Sequence, residues 1–116
     1  MHELSLCEDL LDQVKAIAET HHAEKVVSIT VRIGPLSGVE PLLLDSAFSM
    51  ACVGTVAELA ELILENQPVR VVCNQCAIES EASANNLLCR SCGGFDTRLL
   101  SGDELILARV ELEGVD

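Results

Sequence analysis

The chain has 116 residues, enough for one domain or for one domain carrying a small subdomain, and it should bury about two-thirds of the surface its unfolded form exposes. Its apolar fraction of 49% comes mainly from Leu, Val, Ala and Ile, with two Phe and neither Trp nor Tyr, so aromatic stacking on bases or sugars is not available. Seven Lys and Arg against nineteen Asp and Glu give a formal charge of −12, which repels phosphate backbones and anionic membranes; no nucleic acid and no membrane surface is expected as partner, whereas a cation or a basic face is.

The chain opens with Met1-His2-Glu3, which places an amine, two backbone amides and an imidazole within one short reach. Such a nitrogen cluster suits a square-planar ion such as Ni(II) or Cu(II). A histidine in this position is ordinarily a solvated residue, so the cluster is a candidate that its context must support. There is no run of about 18 uncharged apolar residues, so no membrane span is expected. Glu3, Glu8, Asp9 and Asp12 stand where a signal peptide would carry a basic flank and an apolar core, which gives a cytoplasmic expectation.

Ser5-Leu6-Cys7-Glu8 has the form of a capping box, so a helix is predicted to start at Ser5 and to leave the amides of His2 and Glu3 ahead of its ladder. Cys7, Leu10, Leu11, Val14, Ile17 and Ala18 recur at three- and four-residue steps down to about Thr20, opposite Glu8, Asp9, Asp12, Lys15 and Glu19. His21 and His22 invite a metal reading, but histidines at a helix C-terminus also interact favourably with its last carbonyls and dipole. From Val26 to Gly34 the pattern alternates, with Val27, Ile29, Val31 and Ile33 on one face and Ser28, Thr30 and Arg32 on the other, which predicts a half-buried strand.

Gly34-Pro35-Leu36-Ser37-Gly38 breaks that strand. Pro41 is placed to begin a second helix, with Leu43, Leu44, Ala47, Phe48 and Ala51 as its buried stripe and Gly54 as its stop. Thr55 to Asn66 is ambiguous: Val56, Leu59, Ala60 and Ile63 sit at helical spacing, yet Gln67-Pro68 and the strand-like Val69 to Cys73 follow at once, which suits a strand pair around a tight turn. Gly102-Asp103 marks a turn, and Ile106, Ala108, Val110 and Leu112 alternate as a closing strand. The order of elements predicts an α+β fold with a small metal-bound lobe inserted near its C-terminus.

Cys73-Asn74-Gln75-Cys76 and Cys89-Arg90-Ser91-Cys92 are two Cys-x-x-Cys pairs twelve residues apart, a spacing that delivers two thiolates from each turn to one tetrahedron. Gly93-Gly94 supplies permissive backbone behind the second pair, and Ala77 to Leu88 has too few large apolar residues for a core of its own. Four sulfur ligands and no vacant position favour structural Zn(II) at Cys73, Cys76, Cys89 and Cys92. A thioredoxin-like redox pair expects one such motif near a βαβ pattern, and a nucleic-acid-binding zinc ribbon expects basic and aromatic residues between the pairs. Cys7 and Cys52 fall on predicted helices and read as small buried hydrophobes.

Met1-His2-Glu3 followed by Leu4-Ser5-Leu6, the two cysteine pairs, Ile33-Gly34, Leu36-Ser37-Gly38-Val39, Gly54-Thr55, Ala57-Glu58, Ala60 and Gly102-Asp103-Glu104-Leu105 together resemble the HypA/HybF family of hydrogenase-maturation nickel metallochaperones. The resemblance runs the whole chain. It implies two helices packed on a small three-stranded sheet, with an inserted four-cysteine zinc lobe carried on extended strands. It implies a nickel-binding α+β domain over 1-70 and 95-116, a zinc-binding lobe over 71-94, and a strand over Leu59 to Glu65 against local propensity. Carried onto this sequence, the family's nickel site falls on the Met1 amine, the His2 imidazole and amide and the Glu3 amide, and Glu40 matches an acidic position placed near that site in some members. The implied role is no enzyme but delivery of Ni(II) to a hydrogenase large-subunit precursor, with a HypB-type GTPase as partner and, in some members, urease maturation proteins. Competing expectations are a zinc-stabilised interaction module with an inert N-terminus, and a thiol oxidoreductase. The chain departs from the commoner family pattern in lacking Gly after Cys76 and Pro after Cys89, changes that touch turn stiffness and not ligand identity.

Overall fold

The computed structural model describes residues 3–115. Its elements in chain order are α1 (Glu3–Thr20), β1 (Lys25–Ile33), α2 (Pro41–Ala51), β2 (Glu61–Asn66), β3 (Val69–Cys73), β4 (Glu79–Ala82), β5 (Thr97–Ser101) and β6 (Leu105–Glu113). Two three-stranded sheets result, in the orders β2-β1-β6 and β4-β3-β5, and the fold is α+β. The chain divides into two compact units, one of residues 1–31, 39–65 and 106–116 and one of residues 32–38 and 66–105. None of the helices described is long and apolar enough to cross a membrane.

In the first unit α1 buries Cys7, Leu10, Leu11, Val14 and Ala18, the i, i+3, i+4, i+7 stripe anticipated from the sequence, and exposes Glu8, Asp9, Asp12, Lys15 and Glu19. The helix starts earlier than its capping-box signature indicates. Glu3 is already in the first turn, so Ser5-Leu6-Cys7-Glu8 lies inside the helix. One local and one tertiary effect accompany this start: a carboxylate in the first turn complements the positive end of the helix, and Glu3 Oε2 accepts a hydrogen bond from the Glu40 N–H at 3.5 Å.

The far end of α1 closes as a Schellman motif. The His22 N–H donates to the Glu19 carbonyl at 3.1 Å and the Ala23 N–H to the Ala18 carbonyl at 2.9 Å. His22 occupies the left-handed C′ position, with φ 53°, and His21 and His22 are both exposed. The pair is therefore accounted for by helix termination.

Glu40 caps α2, its Oε1 accepting from the Leu42 N–H at 3.2 Å, and Pro41 begins the helix at the position where no amide is needed. Leu44 and Phe48 carry its burial, whereas Leu43 is 47% exposed. The helix ends at Ala51, with Cys52 as cap and Gly54 beyond. α1 and α2 pack together, and the Cys7 thiol donates to the Leu44 carbonyl at 3.5 Å.

β1 departs from the half-buried alternation expected of it. Ser28, Ile29, Thr30 and Val31 are all buried, Val26 is buried and Val27 is exposed. Its two edges are paired with β2 and β6, and its buried hydroxyl at Ser28 is satisfied by Glu111 Oε1 on β6 at 2.6 Å. β2 is a strand, as the family resemblance implies and helical propensity does not, but it runs from Glu61, and Leu59 is 84% exposed in the turns before it. β2 and β3 do not form the anticipated hairpin. They join different sheets, since Gln67-Pro68 interrupts pairing.

In the second unit β3 is the central strand, antiparallel to both neighbours, with Val69, Val71 and Cys73 on its buried face. The loop after β1 lies against the turn before β6. The Gly34 N–H donates to the Glu104 carbonyl at 2.9 Å and the Leu36 N–H to the Gly102 carbonyl at 2.8 Å. A Cβ at Gly34 would stand 2.1 Å from the Gly102 carbonyl oxygen, so this crossing admits only glycine.

Candidate metal centre

Sheet β4-β3-β5 ends in two loops that carry the four clustered cysteines. Cys73 is the last residue of β3, paired with Thr97 of β5, and Cys76 follows in the turn toward β4. Cys89 and Cys92 lie in the loop that returns to β5. The loops are tied together by the Asn74 N–H and side-chain amide, which donate to the Asp96 carbonyl and Oδ1 at 2.9 and 3.0 Å. The Cys89 N–H donates to the Gly94 carbonyl at 2.9 Å.

Each Cys-x-x-Cys turn aims amides at its own first sulfur. Cys73 Sγ accepts from Gln75 and Cys76 at 3.3 and 3.4 Å, and Cys89 Sγ accepts from Cys92 at 3.5 Å. These donors favour the thiolate. The Cys76 amide, then that of Gln75, holds the Cys73 thiol below its ordinary value, and the Cys92 amide lowers Cys89 to about 7. The second cysteine of each turn goes the other way. At Cys76 the pull of the Ile78 amide is outweighed by burial and by the thiols of Cys89 and Cys73; at Cys92 the Gly94 amide is outweighed by Cys73 and Cys89, and the thiol rises to about 11. Four thiolates this close repel one another without a cation, and a metal ion displaces the remaining protons.

The cluster fits a tetrahedral ion. All four Sγ atoms lie within 4.8 Å of one another, and the Cys73–Cys92 and Cys76–Cys89 pairs are each 3.6 Å apart. With metal–sulfur bonds near 2.3 Å, a tetrahedral zinc site places its sulfurs about 3.8 Å apart. The six cysteines stand as free thiols in the structure. Cys73 and Cys89 are buried, Cys76 is half-buried and Cys92 is exposed. The donor set is thus a four-cysteine metal-binding group whose all-sulfur chemistry is consistent with zinc.

Cys7 and Cys52 are separate from this cluster and buried, as their positions on apolar stripes indicate. Burial, then Cys52 and the carboxylates of Glu3 and Glu8, raises the Cys7 thiol to about 11, which makes it an inert hydrophobe.

Of the residues anticipated as a nickel site, Met1 and His2 lie outside the described residues. Glu3 is buried in the first turn of α1, and its carboxylate meets the backbone of Glu40, the N-cap of α2. Glu40 is thereby brought to the start of α1. His21 and His22 are at the opposite end of that helix. Two features of the cysteine loops have only a weak sequence signal: the Asn74–Asp96 tie, and Gly94, where a Cβ would stand 2.9 Å from Gln75 Oε1 and 3.2 Å from Cys92 Sγ.

Comparison with known proteins agrees with this architecture. Residues 1–112 match the family described as "Hydrogenase/urease nickel incorporation, metallochaperone, hypA". Hydrogenase maturation factor HypA of Nitrosospira multiformis is 49% identical over 112 residues, 97% of each chain, and that of Aquifex aeolicus is 43% identical over 113 residues, 97% of this chain and 98% of the relative. The solution structure of the Ni metallochaperone HypA from Helicobacter pylori superposes with a TM-score of 0.75 at 25% identity, covering 97% of this chain and 98% of the other. A second HypA solution structure gives 0.76 at 26% identity, covering 97% and 96%. A nickel-incorporation family matched over nearly the whole length, two close relatives and two structural neighbours converge with the four-cysteine group: the chain belongs to the HypA family of nickel metallochaperones.

Proposed function

We propose that this chain binds Ni(II) at its N-terminus and delivers it to a [NiFe]-hydrogenase precursor, while Zn(II) held by Cys73, Cys76, Cys89 and Cys92 organises a separate lobe. The observation that carries this reading is that the match to a nickel-incorporation family covers residues 1–112, so that Met1-His2-Glu3 falls within the matched stretch. The Met1 amine, the His2 imidazole and amide and the Glu3 amide supply the strong-field nitrogen donors that square-planar Ni(II) favours. Glu3 in the first turn of α1 supports the assignment, because amides there precede the helix ladder. The approach of Glu3 to the Glu40 backbone keeps Glu40 among the candidate ligands.

Amide ligation requires deprotonation, so nickel affinity rises with pH and falls on protonation or partner exchange, the behaviour of a site that passes its cargo on. The reading assigns nickel to the domain of 1-70 and 95-116 and zinc to the lobe of 71-94. It names the HypB-type GTPase and the hydrogenase large-subunit precursor as partners, with urease maturation proteins as further recipients, all in the cytoplasm.

Calorimetry with Ni(II) on untagged protein tests it. About one nickel per chain is expected, lost in His2→Ala or on N-terminal extension with zinc retained. Unchanged nickel affinity in His2→Ala sinks the site, and absence of nickel binding in the untagged protein returns the chain to a zinc-stabilised interaction module.

A further inference from the structure

The two cysteine turns repeat one backbone geometry with a single chemical difference. Each closes with an amide-to-carbonyl bond across four residues: Ala77 N–H to the Cys73 carbonyl at 2.9 Å, and Gly93 N–H to the Cys89 carbonyl at 2.9 Å. In each, the residue after the second cysteine is left-handed, Ala77 with φ 63° and Gly93 with φ 75°. Glycine adopts this conformation without penalty, whereas the Cβ of alanine crowds the following carbonyl oxygen. A non-glycine residue stays there only while its surroundings impose it.

Those surroundings are unequal along the first turn. Cys73 is fixed by β3 and its pairing with Thr97, and Asn74 is fixed by two hydrogen bonds to Asp96. Cys76 lies outside any strand and is only half-buried, and Ile78 beyond Ala77 is 47% exposed. The strained end of the turn is held by backbone bonds to Cys73, from the Ala77 N–H at 2.9 Å and to the Ile78 carbonyl at 3.1 Å, but its side chains are less covered than that of Cys73. In the second turn the equivalent position is Gly93, which adopts φ 75° without a Cβ, so no comparable strain is stored.

We propose that Cys76 is the exchangeable ligand of the four-cysteine site: relaxation of Ala77 out of the left-handed region swings Cys76 away while Cys73, Cys89 and Cys92 stay in place. The inference rests on the zinc assignment above. Static exposure makes the opposite choice, because Cys92 is the most open of the four.

The experiment uses full-length zinc-loaded protein. Iodoacetamide is applied in pulses, modification of each cysteine is read by mass spectrometry, and zinc transfer to a colorimetric chelator is followed in parallel. Ala77→Gly is expected to slow modification of Cys76 and transfer of zinc about 5- to 10-fold, leaving Cys92 unchanged. Gly93→Ala is expected to accelerate Cys92. Equal rates at Cys76 in wild type and Ala77→Gly overturn the proposal, as does uniform slowing of all four thiols, which would report general stabilisation of the lobe. Elemental analysis separates the two layers: less than one zinc per chain in freshly purified protein overturns the metal assignment and the exchange proposal with it, whereas full zinc with an unresponsive Cys76 overturns only the latter.

Discussion

The unit of residues 1–31, 39–65 and 106–116 is held by a conventional apolar core, in which Leu10, Leu11, Val14, Ile29, Val31, Leu44 and Phe48 are buried. The unit of residues 32–38 and 66–105 buries Val69 and Val71 beside Cys73 and Cys89, and leaves Ile78, Leu87, Leu88 and Phe95 exposed. Charge divides just as unevenly. The first unit carries Lys15, Lys25 and Arg109 against fourteen carboxylates, and the second carries four arginines against five. The acidity of the whole chain is thus concentrated in one unit, where a strong negative potential favours capture of a cation. The near-neutral unit has too little apolar burial at its cysteine end to hold those loops by packing, and a thiol cluster stands where a core would be. The difference teaches that metal and hydrophobic burial are alternative ways to order a loop, and that each should fail under a different challenge.

The largest expected effect is at the thiol cluster. Chelation, or Cys89→Ser, should disorder the loops between β3 and β5 while α1 and α2 keep their helicity, because a structural zinc site supplies the folding energy of the segment it closes. Amide exchange resolved by residue is the measurement. Protection lost over 73–97 and retained over 7–20 keeps the two mechanisms apart; simultaneous loss in both stretches would show a single cooperative structure.

Leu44→Ala is the reciprocal challenge. Leu44 is fully buried against α1, and truncation of a buried leucine costs about 2–5 kcal/mol through lost transfer energy and the cavity left behind. A fall in the thermal midpoint is expected, with faster alkylation of Cys7, whose thiol meets the Leu44 carbonyl. Zinc content should stay at the wild-type value. Loss of zinc along with stability would mean that the apolar core also supports the cysteine loops.

How far these two mechanisms were legible in the sequence differs in the same way. Local chemistry was plain: the Cys-x-x-Cys pairs, the Pro41 start of α2 and the apolar stripe of α1 are short-range signals, and each appears in the structure where its residues indicate. Tertiary decisions were not. Glu61–Asn66 has helical spacing and becomes a strand because it pairs beside β1, Val27 and Ser28 exchange their expected burial with Ser28 bonded to Glu111 of β6, and β2 and β3 part into different sheets at Gln67-Pro68. The start of α1 at Glu3 depends on the Glu40 amide, 37 residues away, which no local capping pattern contains. Of the candidate metal ligands, the four thiols could be read from spacing alone and are brought together in the structure, whereas Met1 and His2 of the proposed nitrogen set lie outside the described residues.

The smallest effect sharpens the comparison most, because among the described residues each unit contains one non-glycine residue in the left-handed region. Ala77 is held there beside the four-cysteine group, and His22 is held by the two Schellman hydrogen bonds at the end of α1. Histidine tolerates this region better than most residues, yet its Cβ still meets the steric penalty that glycine avoids. His22→Gly should therefore stabilise the first unit by about 0.5–1 kcal/mol, a rise of a few degrees in the thermal midpoint, after allowance for the greater freedom of glycine in the unfolded chain. His22→Asn should fall between the two, and His22→Val below wild type. Because the gain comes from backbone geometry and not from a ligand, it should be the same with and without Ni(II) and Zn(II). A gain that vanished when metal was added would reveal that His22 binds it, and would move the histidine pair from helix termination to ligation.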